Sequence, residues 1–186
     1  MQRSQELAGD SRGAELSLLA EAVIRRAEAS DLEGMLDAYE AVAAEGRYIG
    51  AELPIDRAER GAWWLERLAD DSAASFVADA EGAIVGSAGV TGTGPSDLGM
   101  LVVSAWRGRG VGSALLRACI DWARQAGSHK VSLQVWPHNS AAINLYLKHG
   151  FVQEGYLRRH WRRRNGELWD ALVMGLLLED GPVEAT

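Results

Sequence analysis

Residues 104–113 read Ser-Ala-Trp-Arg-Gly-Arg-Gly-Val-Gly-Ser, with glycines at the alternate positions 108, 110 and 112 and Arg107 and Arg109 among them. The run stands between an apolar stretch, LGMLVV at 98–103, and SALLRACIDWARQAG at 113–127. The first stretch suits a central strand covered on both faces. In the second, Leu115, Leu116, Cys119, Ile120 and Ala123 recur at spacings of three and four, which makes one apolar helix face. Alternating glycines at such a junction either make a tight turn or let successive N–H groups converge at a helix N-terminus, where the dipole favours a phosphate. The spacing is not the G-x-G-x-x-G of a dinucleotide fold, and no Gly-Lys-Ser/Thr follows as in an NTPase phosphate loop. Strand, loop and helix together make a pyrophosphate cradle.

The rest of the chain supplies the elements around it. AVIRRAEASD (22–31) reads as a first strand ending in a turn, with Ser30 as N-cap and Glu33 at the capping-box spacing of a helix that runs to Ala44. GRYIGAELP (46–54) reads as a loop and 56–70 as a second helix. Two alternating apolar runs around Glu81-Gly82 predict a hairpin within 74–92. GTGPSD then reads as a loop before the 98–103 strand. KVSLQVW (130–136) is a further strand, stopped by Pro137. NSAAINLYLKHG (139–150) is a short helix, and 151–178 reads as two strands around Asn165-Gly166. The order βααβββαβαββ gives one mixed α/β domain over 22–180, with an extension at 1–21 and a tail at 181–186.

The chain has 186 residues, 47% of them hydrophobic, enough for a sizeable core. Its net charge of −7 argues against a general nucleic-acid or anionic-membrane binder. With Cys119 as its single cysteine it makes no internal disulfide, and a reducing, cytoplasmic setting is expected. The N-terminus does not read as a secretory signal, and no apolar run is long enough to span a membrane. His129, His138, His149 and His160 show no metal-ligand spacing, so no metal is expected. RRHWRRR (158–164) superficially suggests RNA, but arginines on a strand divide between its two faces, so a solvated hairpin is expected instead.

Arg107-x-x-Gly110-x-Gly112 resembles the Arg/Gln-x-x-Gly-x-Gly/Ala signature of the GNAT family of N-acetyltransferases, in which the loop binds the pyrophosphate of acetyl-CoA. The second half of that family's pattern matches at Asn139, Ala142, Leu145-Tyr146 and Gly150-Phe151. The resemblance covers 22–178. It implies the GNAT fold: an α/β (α+β) domain with a central mixed, mostly antiparallel sheet, a splayed strand pair and flanking helices. It also implies that acetyl-CoA is the acetyl donor. Backbone groups of Leu101, Val102 and Val103 would hold pantetheine and polarise the thioester. N–H groups of Arg107, Gly108, Arg109, Gly110, Val111, Gly112 and Ser113 would hold the pyrophosphate, with added charge from Arg107 and, unless it is merely solvated, Arg109. Asn139 would bond coenzyme A, and Tyr146 would protonate the departing thiolate, its other reading being an aromatic that packs helix on sheet.

Acetyl transfer to an amine also needs an unprotonated amine and somewhere for its proton to go. LGMLVV carries no acid, which leaves Asp97 at its start, Glu52 in the 46–54 loop, or a water chain. The expected reaction is acetyl transfer to a primary amine on a small, amino-acid-like molecule, in a monomer or homodimer. The alternatives are a protein N-terminal acetyltransferase and a catalytically silent acyl-CoA-binding module. Cys119 and the tryptophans, Trp63 and Trp64 among them, are expected in the core or at an interface.

Overall fold

The computed structural model describes residues 22–92 and 95–178, and the expected extension and tail lie outside them. In chain order the elements are β1 (Val23–Arg26), a 3₁₀ turn (Ala29–Asp31), α1 (Leu32–Ala44), α2 (Arg57–Leu68), β2 (Ala73–Ala80), β3 (Ala83–Thr91), β4 (Pro95–Val102), a second 3₁₀ turn (Ser104–Trp106), α3 (Val111–Gln125), β5 (Lys130–Val135), α4 (Ser140–Lys148), β6 (Val152–Arg162) and β7 (Leu168–Leu177). The strands form one sheet in the order β1-β2-β3-β4-β5-β7-β6. All neighbours are antiparallel except β4 and β5. The expected mixed, mostly antiparallel sheet is therefore present.

Period-two alternation sends each strand's side chains to two cores. Ala74 and Ala78 of β2 face α3, where Leu115, Leu116, Cys119 and Ala123 are fully buried. Val77 faces α1 and α2, packed with Met35, Leu36 and Trp64. The Glu81-Gly82 hairpin forms as expected, with positive φ at both residues (54° and 89°), the backbone a type I′ turn needs.

The parallel pairing is short. Pro95, Ser96 and Asp97 match Lys130, Val131 and Ser132, and the two strands then part. β4 continues along β3 to Val102, while β5 continues along β7 to Val135. The closed end is pinned by Ser96, which is fully buried yet satisfied: its hydroxyl meets Ser128 Oγ at 2.6 Å and donates to the Gly92 carbonyl at 2.9 Å.

Two boundaries differ from the sequence reading. GTGPSD is not all loop, because Pro95 opens β4; a strand's first position tolerates its missing N–H. The first strand ends at Arg26, and Ser30 is not the N-cap, because Glu28 and Asp31 form the capping box of the 3₁₀ turn instead. Glu33, freed from that role, joins Asp37 and Glu40 around Arg57 and ties α2 to α1.

Asp31 does more than cap. It accepts two 2.7 Å hydrogen bonds from Arg25, which also reaches Asp79 at 2.9 Å. The Arg25 hydrogen bonds hold the Asp31 carboxyl below its ordinary range, against its burial. A depressed folded-state pKa adds stability above the unfolded value of about 3.9 that is lost as acid titrates the group below it. Asp31→Asn should therefore cost about 1–3 kcal/mol near neutral pH, the usual worth of hydrogen bonds to a charged group. Denaturant unfolding should show that difference shrinking as pH falls below about 4.

Candidate active site

The open half of the strand pair is the centre of the site. Val103 N–H donates to the Val85 carbonyl at 3.0 Å, and the Leu101 carbonyl lies 3.0 Å from where a Cβ on Gly86 would stand. The backbone groups of Leu101 and Val103 thus turn towards β3, and antiparallel alternation turns those of Met100 and Val102 into the gap. Of the three residues expected to line it by backbone, Val102 does so, with Met100 beside it. The Val102 carbonyl already accepts from Arg107 Nε at 2.9 Å, which leaves the N–H as its free group.

The glycine loop follows. The Arg107 N–H closes the 3₁₀ turn on the Ser104 carbonyl. Among the described residues, the N–H groups of Gly108, Arg109, Gly110, Val111, Gly112 and Ser113 have no acceptor, and they converge at the N-terminus of the 15-residue α3. Gly108 (φ +73°) and Gly110 (φ +88°) adopt left-handed backbone, and a Cβ built on either meets nothing within 4 Å. This is an open cradle of donors, suited to an extended anion such as a pyrophosphate. Gly112 is a glycine for another reason: a Cβ there would stand 3.3 Å from Leu145 and 3.4 Å from Met100. Ser113 Oγ meets His149 Nε2 at 2.6 Å and ties α3 to the end of α4.

The Arg107 side chain does not add charge to that cradle, and this corrects the expectation. Its guanidinium makes a bidentate pair with Glu45 at the end of α1 and lies 4.5 Å over the Tyr48 ring. Arg109 instead stacks over Trp106 at 5.1 Å. Asn139 caps α4, its Oδ1 accepting from the Ala142 N–H at 3.3 Å, so its NH₂ is the part left for a ligand. Tyr146 is 6% exposed, its ring 5.7 Å from that of Phe151. Among the described residues its hydroxyl has no hydrogen-bond partner. Burial, then nearby Cys119, pushes that hydroxyl above the usual tyrosine range. Cys119 is a core residue whose thiol burial pushes up to about 12.

On the α1 face of the sheet, the segment between α1 and α2 forms a strap across the mouth of the gap. At one end Glu45 holds the glycine loop. In the middle the Arg47 carbonyl accepts from His138 Nε2 at 2.8 Å, which sets the neutral imidazole as its Nε2–H tautomer. Beyond it, Arg163 Nη1 donates to the Gly50 carbonyl at 3.0 Å, and Arg164 Nη1 to that of Leu53 at 2.8 Å. Arg163 is buried, its guanidinium 4.4 Å over Trp169. The solvated hairpin expected at RRHWRRR therefore describes Arg158, Arg159 and Arg162, which are exposed, while Arg163 and Arg164 are fasteners.

Neither carboxylate considered as a general base stands free at the gap. Glu52 accepts from the Arg164 N–H at 3.0 Å and pairs with Arg163. Asp97 lies at the closed end, five residues before Val102, about 17 Å at 3.3 Å per strand residue.

Beneath the strap is a cavity of about 830 Å³, with Tyr39, Arg60, Trp63, Trp161 and Arg164 in its lining. Its walls touch both arms of the gap: Tyr39 packs in one cluster with Leu101 of β4, and Trp161 Nε1 donates to Gln134 Oε1 of β5 at 2.9 Å. Trp63 and Trp161, expected in the core or at an interface, are 44% and 45% exposed here. Helical spacing carries part of that signal, since Trp63 and Trp64 are neighbours and only one of them can face the sheet. Arg60 had no signal in the sequence at all.

The profile of the acetyltransferase (GNAT) family matches residues 35–151. The L-amino acid N-acetyltransferase AaaT of Escherichia coli K12 is 32% identical over 167 residues, 84% of this chain and 98% of that protein. An L-methionine sulfoximine/L-methionine sulfone acetyltransferase of Pseudomonas aeruginosa PAO1 is 32% identical over 145 residues, 73% of this chain and 83% of its own. Among solved structures, a ribosomal-protein-alanine N-acetyltransferase from Brucella melitensis superposes with a TM-score of 0.75 at 29% identity, over 83% of this chain and 99% of that one. The structure of yncA from Salmonella typhimurium with its cofactor acetyl-CoA has the same fold, with a TM-score of 0.77 at 22% identity, over 89% and 98% of the two chains.

The two reasons for glycine in the loop separate experimentally. Gly110→Val forces a branched residue into left-handed backbone, a strain of about 1–2 kcal/mol, and fills the cradle; it should weaken acetyl-CoA binding, read by calorimetry. Gly112→Val should mainly lower the melting temperature, through the clash with Leu145 and Met100. Equal effects of both variants on both measurements would erase the distinction.

Proposed function

The chain belongs to the acetyltransferase (GNAT) family and is an acetyl-CoA-dependent N-acetyltransferase, and on that premise we propose that it acetylates the primary amine of a small, amino-acid-like acceptor bound under the strap. The observation that carries this reading is the cavity whose walls touch both arms of the open strand pair, with the donor cradle at the end of one arm. The two relatives named as acting on L-amino acids or methionine analogues support the choice of acceptor.

The donor's pyrophosphate rests on the N–H groups of residues 108–113, and Asn139 offers its NH₂ to the same molecule. Pantetheine fills the gap as an added strand, and the Val102 N–H hydrogen-bonds the thioester oxygen. The neutral amine attacks the thioester carbon, a C–N bond forms, the C–S bond breaks, and the sulfur takes a proton. Tyr146 gives it, and its burial supports that role by keeping the hydroxyl protonated across the physiological range. Because Glu52 is engaged by Arg163 and Arg164 and Asp97 lies at the closed end, the proton lost by the amine leaves through water. A cytoplasmic setting and a homodimer complete the proposal; sedimentation of the purified protein checks the second. Among the described residues, no helix is long and apolar enough to cross a membrane.

Tyr146→Phe removes the acid and little else, because the ring keeps its place against Phe151. Turnover should fall about 10²- to 10⁴-fold, the usual span for general acid–base catalysis, while acetyl-CoA affinity changes little. An unchanged rate, with chemistry shown to be limiting, would return Tyr146 to a packing role.

A further inference from the structure

The cavity under the strap contains one cation that is positioned but not paired. Arg60 lies on α2 with its guanidinium 5.1 Å over the Tyr39 ring and 5.1 Å over the Trp63 ring. Stacking on rings uses the faces of a guanidinium and leaves its N–H donors, which lie in the plane at the edge, unsatisfied. Among the described residues, no carboxylate or carbonyl accepts from them. The contrast with Arg57, one turn earlier on the same helix, is direct. Arg57 gathers Glu33, Asp37 and Glu40, and neither of its faces stacks on an aromatic ring.

The other charges in the lining are mostly committed. Glu52 accepts from the Arg164 N–H and pairs with Arg163. Asp56 caps α2 by accepting from the Glu59 N–H at 2.9 Å. Arg164 gives Nη1 to the strap carbonyls of Leu53 and Pro54. Glu59 is uncommitted but exposed. A half-buried guanidinium, fixed in orientation by two rings and facing a cavity, is the arrangement that takes a planar anion by two parallel hydrogen bonds.

We propose that Arg60 anchors the carboxylate of the acetyl acceptor and makes the enzyme select amines that carry one. The proposal rests on the acceptor site being this cavity. Holding the carboxylate at α2 would leave the amine free to point towards the gap, where Trp161 meets Gln134 of β5. The arginines of the 158–164 hairpin are not placed in the same way, because two of the five fasten the strap and the other three are exposed.

The test measures kcat/KM by thiol release for the L-amino acids and for the corresponding amino-acid amides, with wild type, Arg60→Gln and Arg60→Lys. The wild type should prefer the free carboxylate. Arg60→Gln should lose roughly 10- to 100-fold on carboxylate acceptors, the worth of one charge-assisted contact, and stay within about twofold on the amides. Arg60→Lys should recover part of the loss, because it restores charge without the fork. KM for acetyl-CoA and the melting temperature should be unchanged in both variants. An equal loss on acids and amides, or no loss on either, would make Arg60 a packing residue and overturn the proposal. If the wild type itself releases no thiol with any amino acid or amide, the acceptor reading fails first and takes the role of Arg60 with it.

Discussion

Everything at this site follows from a parallel strand pair that stops after three residues. Pairing between Pro95–Asp97 and Lys130–Ser132 closes one end, and the buried Ser96–Ser128 contact keeps it closed. Past that point each strand still has a partner on its outer side, so the sheet holds together while an inner edge opens. Unpaired N–H and C=O groups inside a folded domain need partners. Here the Val102 carbonyl finds Arg107, and the Val102 N–H is left for a ligand. A gap of this kind suits a ligand because the fold leaves its hydrogen bonding unfinished.

Arg107 links the two halves of that site. It belongs to the glycine signature, where its charge suggests phosphate binding, yet its three contacts are a strand carbonyl, the Glu45 carboxylate and the Tyr48 ring. It joins the end of β4 to the start of the strap, so the glycine loop and the strap share one fastener. Arg163 and Arg164 do the same at the far end, from the hairpin. Three arginines that look like ligand-binding charge in the sequence are the clamps of the strap, because a strap with many free carbonyls needs donors that reach sideways.

The fold was legible because its signals are local. Helix faces at spacings of three and four, the Glu81-Gly82 turn and the glycine loop each depend on a few adjacent residues, and all formed where expected. The cradle of free N–H groups was legible for the same reason, since it rests on alternating glycines within one short segment. Where the reading failed, a contact that helical and strand periodicity does not encode decided the outcome. Ser30 gave way to the Glu28–Asp31 box, whose acid is held by Arg25 and, through it, Asp79. The cavity under the strap is built almost wholly from such contacts, with α1, α2, the strap and the hairpin each contributing to its lining. No spacing in the sequence brings Arg60 to Tyr39, or Trp161 to Gln134.

The chain's charge frames the last problem. A molecule with a net charge of −7 takes a polyanionic donor and, on our reading, a carboxylate acceptor. Its overall field repels both at long range, but at physiological salt that field decays within about 8 Å. Inside that distance local donors decide, and the two anion sites are built differently. The donor cradle uses uncharged N–H groups and a helix dipole, which stay in place at any pH. The proposed acceptor pocket uses one guanidinium lying over two rings, with the neighbouring acids Glu52 and Asp56 already bound elsewhere. Committing those acids to the strap and the helix cap leaves Arg60 as the half-buried charge of the lining without a partner among the described residues. On the proposed reading, the same contacts that fasten the strap therefore bear on which acceptors it admits.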